Sequence, residues 1–270
     1  MTPNEKTLQN DLYFEQERLK LAIKSVKIGL WDWDLVENTI YFSPEFKEML
    51  GYSDDEIEND FSQWEKRVHP DDIKKTYLDI EENHKKITSE YQNIHRLRHK
   101  NGSWVWILDK GKTYFNEKDE PIRMIGFHIN VTDDIMLETK YRNLFNQIKE
   151  GVLVYKVEDN GNKFILKDCN ESAQDIDNID IKDIIGKEIL EIFPEIKDIG
   201  FLDILKEVYK NGETKVIPSF EYTHNNLEKS WRKYYIYKLI NNDIVLIYED
   251  LTKEYVQLKT LNSLLKKEEF

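Results

Sequence analysis

The 270-residue sequence has one cysteine, no long hydrophobic run and no excess of basic residues. A single cysteine cannot form a disulfide within the chain, which fits a reducing compartment. No apolar segment approaches the roughly eighteen residues that a membrane-spanning helix needs, and the polar N-terminus is unlike a secretory signal. The sequence therefore predicts a cytoplasmic protein without a membrane span.

Basic side chains are outnumbered, with 39 Lys and Arg against 52 Asp and Glu, and the formal net charge is −13 at pH 7. Such a surface repels phosphates, so we expect no nucleic acid among the partners. The acidic surplus is spread along the chain, which is typical of an ordinary solvated surface.

Motifs of common enzymes are also missing, since the sequence contains no Walker loop, GxGxxG, HExxH or CxxC. We therefore expect no catalytic residue in this chain. His84, next to Glu81, Glu82 and Lys85, is predicted to be a surface residue. The remaining histidines outside the His-Pro-Asp-Asp element lack the spacing of a metal site, so we predict none; they are His95, His99, His128 and His224.

What the sequence does contain is a repeat. GFHINVTDDIML, from Gly126 to Leu137, predicts a strand that runs directly into a helix, and LIYEDLTKEYVQL, from Leu246 to Leu258, predicts the same. Thr132 and Thr252, at equivalent places, are 120 residues apart. The chain is therefore built from two copies of one plan.

Each copy predicts two strands, a helical stretch and three further strands. The turn sequences Asn101-Gly102 and Asp159-Asn160-Gly161 indicate hairpins. In one strand Trp104, Trp106 and Leu108 share a face, and the residues between them share the other. Hairpin connections give antiparallel sheets, so we predict an α+β fold with two five-stranded antiparallel sheets, each with helices on one face.

Amphipathic helices are expected before, between and after the two units. Their apolar residues alternate at spacings of four and three, as in the seam of a coiled coil. Such stripes can pack on their own sheet or pair two chains; Asn262 favours pairing, since a lone Asn in a seam can fix register. We expect a homodimer through these helix seams, whose residues are Leu137, Tyr141, Leu144 and Ile148 in the linker and Tyr255, Leu258, Asn262 and Leu265 at the end.

Several segments together resemble the PAS family of sensor domains. The first unit carries RLKLAIKSVKIGLWDWDL, YFSPEFKEMLGYSDDEI, HPDD and IHRLRHKNGSWVWILDKGKTYF over residues 18–134. The second carries CNESA, IIGKEILEIFP and YEDLT within residues 141–254 and is similar to a more divergent PAS domain. The resemblance implies PAS domains over 28–133 and 150–252, with helices over 1–27, 134–149 and 253–270.

In the PAS family the last strand ends in an Asp-Ile-Thr motif that leads into an output helix. Asp250, Leu251 and Thr252 match it with Leu for Ile, whereas Asn130, Val131 and Thr132 have Asn in place of Asp. The resemblance implies that these residues couple the sheet to the helix. Asn cannot form a charge pair, so a salt-bridge clasp is in doubt at the first exit, where Asp133 is an alternative. His69 is implied to cap the next helix.

The resemblance also implies the function. We expect a signal-sensing and relay module that passes a change induced by a small-molecule ligand or a partner to a histidine kinase or diguanylate cyclase. Neither output is recognisable in this sequence, so the output is expected in a longer chain or in a protein partner. The alternatives are a flavin- or haem-binding photosensor or redox sensor and, less favoured, a stand-alone enzyme.

Cofactor motifs of the family are weakly matched. Haem-binding PAS domains keep an iron ligand near the position of His84, and flavin-binding ones keep a reactive cysteine on a helix, whereas Cys169 follows a strand. Haem and flavin are therefore disfavoured, and Cys169 is expected to be a buried or inert thiol. Trp31, Trp33, Trp104 and Trp106 are the candidate pocket or core aromatics.

Overall fold

The structure is a computed structural model that describes residues 3–197, 199–222 and 229–268. The chain divides into two compact units, Met1–Thr139 and Lys140–Phe270. Each unit contains a five-stranded antiparallel sheet together with short helices, which confirms the predicted α+β class. Among the described residues, no helix combines the length and the apolar character needed to cross a lipid bilayer.

The first unit opens with a long helix and continues with two strands, three short helices and three strands. These elements are α1 (Pro3–Val26), β1 (Gly29–Asp34), β2 (Thr39–Phe42), α2 (Pro44–Met49), α3 (Phe61–Glu65), α4 (Pro70–His84), β3 (Tyr91–Arg98), β4 (Trp104–Phe115) and β5 (Pro121–Asn130). The helix α5 (Thr132–Gln147) follows β5 after one residue and crosses the boundary between the units.

The second unit repeats this order with more helices between its strands. Its elements are β6 (Gly151–Glu158), β7 (Lys163–Cys169), α6 (Glu171–Asp177), α7 (Ile181–Ile184), α8 (Ile189–Ile192), α9 (Phe201–Asn211), β8 (Lys215–Tyr222), β9 (Ser230–Lys238), β10 (Ile244–Asp250) and α10 (Thr252–Glu268).

In both sheets the last strand lies in the middle. The strand orders are β2-β1-β5-β4-β3 and β7-β6-β10-β9-β8. The closing strand β5 therefore pairs with the opening strand β1, where His128 lies opposite Gly29, and with β4, where His128 lies opposite Asp109. In the second sheet Tyr248 of β10 lies opposite Gly151 of β6 in the same way. The strand that leads into each helix is thus paired on both sides, up to two residues before its last one.

The His-Pro-Asp-Asp element starts α4 and ties it to the sheet. The side chain of His69 accepts a hydrogen bond from the Asp71 backbone N–H at 3.1 Å, and Pro70 occupies the first helical turn. The Asp72 carboxylate accepts from the backbone N–H and the guanidinium of Arg96 on β3 at 2.7–2.9 Å. These bonds lower the pKa of Asp72.

The core of the first unit is aromatic and is centred on Trp31. Its indole lies against Gly111 and Gly126, which face each other across β4 and β5. A Cβ atom placed on Gly126 would lie 2.3 Å from Trp31 Cζ2, and one on Gly111 would lie 2.6 Å from its Cη2. The two glycines therefore make the space that the indole fills, and Trp31 Nε1 can donate to Asp109 Oδ1 at 2.8 Å.

We expect Gly126→Ala to destabilise the protein by about 1–3 kcal/mol, because the added methyl group forces the indole or the strand to move. Urea unfolding measures this as a lower midpoint at constant slope. The matched control is Ile125→Val on the adjacent exposed position, which we expect to change the free energy of unfolding by less than about 0.5 kcal/mol. Equal midpoints for both variants would contradict this packing role.

Candidate functional site

The exit from the first sheet is held by hydrogen bonds to the neighbouring strand β4. Thr132 Oγ1 accepts from the Trp106 backbone N–H at 2.9 Å, and the Val131 N–H donates to the Trp106 carbonyl at 2.9 Å. The Asn130 side-chain oxygen accepts from the Thr132 N–H at 3.0 Å. We call residues Asn130–Thr132 with these three bonds the first junction.

The second junction, Asp250–Thr252, repeats each of these bonds. Thr252 Oγ1 accepts from the Trp231 backbone N–H at 3.0 Å, and the Leu251 N–H donates to the Trp231 carbonyl at 2.7 Å. Asp250 Oδ1 accepts from the Thr252 N–H at 2.9 Å. Two sequences with different first residues therefore build one geometry.

Asn130 carries no charge, so it cannot form the salt bridge that an Asp at this position of the first junction could form. The contact that the side chain makes at both junctions is a hydrogen bond to a backbone N–H, which needs an acceptor and no charge. Asn130 supplies that acceptor as well as Asp250 does. Asp133, the predicted alternative, is exposed in the first turn of α5.

The helix seams are mostly exposed. Leu137, Leu144 and Leu258 are 60–68% exposed. Tyr255 instead packs within its own unit: its ring stacks on Trp231 with centroids 4.4 Å apart, and its hydroxyl lies 2.6 Å from Ser219 Oγ. One predicted seam residue thus contacts its own sheet, whereas Leu137, Leu144 and Leu258 stay exposed in the part of the chain that the structure describes. Of the others, Tyr141 stacks on Phe145, and Ile148 and Asn262 are exposed. The Leu265 side chain is outside the described residues, as is His224.

The first unit encloses a cavity of about 30 Å³ between its sheet and helices. This volume holds one or two water molecules or an ion. A flavin or a haem needs a pocket roughly ten times larger, so neither fits without rearrangement. Apolar and aromatic side chains surround two polar ones in the lining, which is Trp31, Trp33, Ile40, Phe42, Phe61, Trp64, Ile80, Tyr91, Asp109, Met124 and His128.

The structure separates the four candidate tryptophans into two pairs. Trp31 and Trp33 line the cavity, whereas Trp104 and Trp106 are half-buried on the opposite face of β4. There Trp104 packs on His69, and Arg96 lies over the Trp106 ring at 5.1 Å. The alternation in β4 was correct, but Val105 and Ile107 mark the core face. What Trp106 contributes to the junction is its backbone.

Polar residues at the core of the first unit were missed by sequence reasoning. His95 on β3, Asp109 on β4 and His128 on β5 are all buried, and their ligand-type atoms lie within 4.8 Å of one another. They are far apart in sequence, so spacing alone did not relate them. The sequence signal that could have found them is strand alternation. Each of the three lies at every second position with buried residues, as His95 does with Tyr91, Asn93 and Leu97 on β3.

His84 is not the surface residue that was predicted. Its ring is half-buried, with its centroid 6.1 Å from that of Trp33, and burial lowers its pKa. Its Nε2 is buried and has no hydrogen-bond partner among the described residues.

Cys169 is 2% exposed, and burial, with Asp168 and Asp177 nearby, raises its pKa to about 12. A thiol with such a pKa stays protonated at neutral pH and is a poor nucleophile.

The second unit has a smaller cavity of about 20 Å³, and its polar lining is an ion pair. Arg232 Nη1 lies 2.6 Å from Asp177 Oδ1, with both residues 4% exposed or less. The Tyr248 hydroxyl donates to the other oxygen of Asp177. Arg232 directly follows Trp231 of the junction and lies opposite Asp250 in the sheet. Sequence reasoning missed this pair, because a helix and a strand 55 residues apart supply it.

Two family models match the chain. One described as PAS fold matches residues 39–128, and one described as PAS domain matches residues 139–211. Together they cover more than half of the sequence. The chain therefore belongs to the PAS family and contains two PAS domains in tandem, as the resemblance predicted. No curated protein matches it.

Solved structures similar to the chain come from sensory proteins. A sensory box histidine kinase/response regulator from Burkholderia thailandensis E264 is 31% identical over 47% of this chain and 94% of that one, with a TM-score of 0.43. The N-terminal domain of a diguanylate cyclase with PAS/PAC sensor from Marinobacter aquaeolei is 19% identical over 40% and 98%, with a TM-score of 0.36. An RNA-binding light-oxygen-voltage receptor is 9% identical over 90% and 99%, also at 0.36. These scores are low, so the family assignment rests on the family models.

The junction geometry predicts that Asp250→Asn is nearly neutral, because the amide oxygen can accept the Thr252 N–H as Asn130 does for Thr132. Asp250→Ala removes the acceptor and should destabilise the start of α10 by about 1 kcal/mol. Hydrogen exchange of the first α10 amides measures the difference as about fivefold faster exchange in the alanine variant. Equal exchange in the Asn and Ala variants would contradict the assigned bond.

Proposed function

We propose that the chain is a cytoplasmic signal-sensing and relay module. In this proposal a change in the core of a PAS domain shifts the closing strand, and the junction passes that shift to the helix that follows. The observation that carries it is the set of three hydrogen bonds that both junctions share, to which the second junction adds a bond from the Thr252 hydroxyl to Asp250 Oδ1. The single cysteine, which is buried and unpaired, fits the proposed compartment.

In the second domain, residues that line the cavity are sequence neighbours of residues that form the junction. Arg232 lines the cavity, and its neighbour Trp231 donates to Thr252. Tyr248 also lines the cavity and precedes Asp250 on β10 by two residues. A group that altered the Arg232–Asp177 pair would therefore act directly beside the start of α10.

The first domain has the same continuity. His128 lines the cavity and lies two residues before Asn130 on β5. Asp109, also in the lining, shares β4 with Trp106, whose backbone contacts Val131 and Thr132. Packed elements of this kind move between discrete arrangements, so a small change in the core can be expressed as a change in the helix. A ligand can drive it only through its difference in affinity for the two states.

The relay is testable with Tyr248→Phe, which removes one hydroxyl from the core and leaves the ring in place. We expect amides 252–258 of α10 to exchange about fivefold faster, because the loss of the bond to Asp177 is worth about 1 kcal/mol and is felt at the adjacent junction. The measurement is hydrogen exchange with mass spectrometry on the full chain.

Tyr235→Phe is the matched control, since Tyr235 is half-buried on the outer face of β9. It should leave α10 unchanged. Faster exchange in β10 without any change in α10 would show that the core is uncoupled from the helix and would reject the relay.

The proposed output is a histidine kinase or diguanylate cyclase, joined to α10 or bound as a partner. We further propose a homodimer through the flanking helices. The support is the apolar surface on α5 and α10, where Leu137, Leu144, Leu258, Leu261 and Leu264 are at least 55% exposed. Unpartnered apolar side chains in this number are typical of an interaction surface.

Sedimentation velocity should show a dimer of the full chain. Leu258→Lys should weaken it about tenfold or more, because a buried leucine is worth about 1.5–3 kcal/mol. Gln257→Lys, on the adjacent exposed position, is the matched control and should leave the dimer intact. A strict monomer at high concentration would contradict the dimer while leaving the relay within one chain untouched.

A further inference from the structure

The core of the first PAS domain brings together three side chains that commonly bind transition metals. His95, Asp109 and His128 are 0%, 3% and 2% exposed, and one candidate ligand atom from each lies within 4.8 Å of the others. They come from the adjacent strands β3, β4 and β5. Strands fix such positions more firmly than loops do.

His128 lacks the hydrogen bonds that a buried imidazole normally makes. Both of its ring nitrogens are buried, and neither has a hydrogen-bond partner among the described residues. Its Nε2 lies 3.1 Å from Asp109 Oδ2, close enough for an ion pair but out of line for a hydrogen bond. Buried polar atoms without partners are rare and often indicate an ion or a water molecule that belongs there.

The other two residues are already held as metal ligands usually are. Trp64 Nε1 can only donate, and it lies 3.3 Å from His95 Nε2, so Nε2 is the acceptor and Nδ1 carries the proton. His95 Nδ1 then donates to Asn93 Oδ1 at 3.0 Å. A ligating histidine almost always donates its second nitrogen to such an acceptor.

Asp109 is oriented by neutral donors. Its Oδ1 accepts from Trp31 Nε1 at 2.8 Å, and its Oδ2 accepts from the Tyr91 hydroxyl at 3.1 Å.

An open position is available beside the cluster. Asp109 and His128 both line the cavity of about 30 Å³, which has room for a water molecule. Three protein ligands and one open position are the arrangement of catalytic zinc sites and, with two histidines and a carboxylate, of non-haem iron sites.

We propose that His95, Asp109 and His128 bind one divalent transition-metal ion of the Zn²⁺ and Fe²⁺ class, with water as a further ligand. Bonds of about 2.0–2.2 Å bring ligand atoms to roughly 3.3–3.5 Å from one another. The Asp109–His128 pair is already at 3.1 Å, so the main adjustment is an approach of His95 Nε2, which exchanges the Trp64 N–H for the metal.

The second domain has a different set of polar residues in its core. Tyr248 and Tyr234 occupy the strand positions equivalent to His128 and Asp109, counted from the threonine and the tryptophan of each junction. The buried carboxylate there, Asp177, is neutralised by the guanidinium of Arg232. The first domain has no such fixed cation among the residues that contact Asp109 in the described structure.

The test uses the full chain, stripped with a chelator and titrated with Co²⁺ as a spectroscopic substitute for Zn²⁺. We expect saturation at one Co²⁺ per chain, with the intense visible absorption of a low-coordinate site, and displacement by Zn²⁺. X-ray absorption of the Zn²⁺-loaded wild-type protein should show two imidazoles among the ligands. No saturable binding, or a shell of oxygen ligands alone, would overturn the proposal.

Variants assign the ligands. His128→Gln, His95→Gln and Asp109→Asn should each weaken Co²⁺ binding more than about 100-fold, and Asn93→Ala should weaken it about 10–100-fold through His95. His99→Gln, a half-buried histidine outside the cluster, is the matched control and should bind as wild type. Circular dichroism checks that each variant is folded, and the wild-type X-ray absorption result stands without any variant.

Wild-type affinity in a folded His128→Gln protein would also overturn the site. Because every readout is metal binding itself, failure here leaves the relay and its hydrogen-exchange test intact.

Discussion

The closing strand of each domain is paired on both sides and is joined to a helix at its end. β5 lies between β1 and β4, and β10 lies between β6 and β9. A slip by one residue would turn every side chain of the strand to the wrong face, so its register is strongly fixed. The cavity groups, the junction bonds and the helix that follows all take their positions from this strand.

The parts of the structure that sequence reasoning predicted are those with a local signal. Each of these signals is contained in a segment of about a dozen residues. They are the hairpin at Asn101-Gly102, the strand alternation around Trp104 and the strand-to-helix exits at Thr132 and Thr252. The two polar cores were missed because each depends on register between strands or on a helix docking to a strand. Alternation identified the two faces of β4 but did not say which one faces the core. In the structure Val105 and Ile107 lie on the core face, and Trp104 and Trp106 lie on the other.

The two cores solve the same electrostatic problem in different ways. A buried carboxylate is costly unless a cation or several donors accompany it. In the second domain Arg232 supplies a permanent cation to Asp177, and Tyr248 completes the set. In the first domain Asp109 has two neutral donors and an imidazole that is close but not hydrogen-bonded. The first core is therefore the one in which an added cation would find unused ligand atoms.

The free energies of the junction hydrogen bonds and of the strand pairing decide which part of a domain can change conformation. Converting a two-state element from about 1:99 to 99:1 takes about 5.5 kcal/mol of differential binding free energy. The three hydrogen bonds at each junction are worth about 1 kcal/mol apiece. Breaking all three therefore costs less than the roughly 5.5 kcal/mol that such a conversion requires. Displacing a central strand would break a ladder on each side and expose aromatic core residues, each worth about 1.5–3 kcal/mol on burial. In the proposed relay the sheet therefore stays paired, and the start of the helix is the element that changes state.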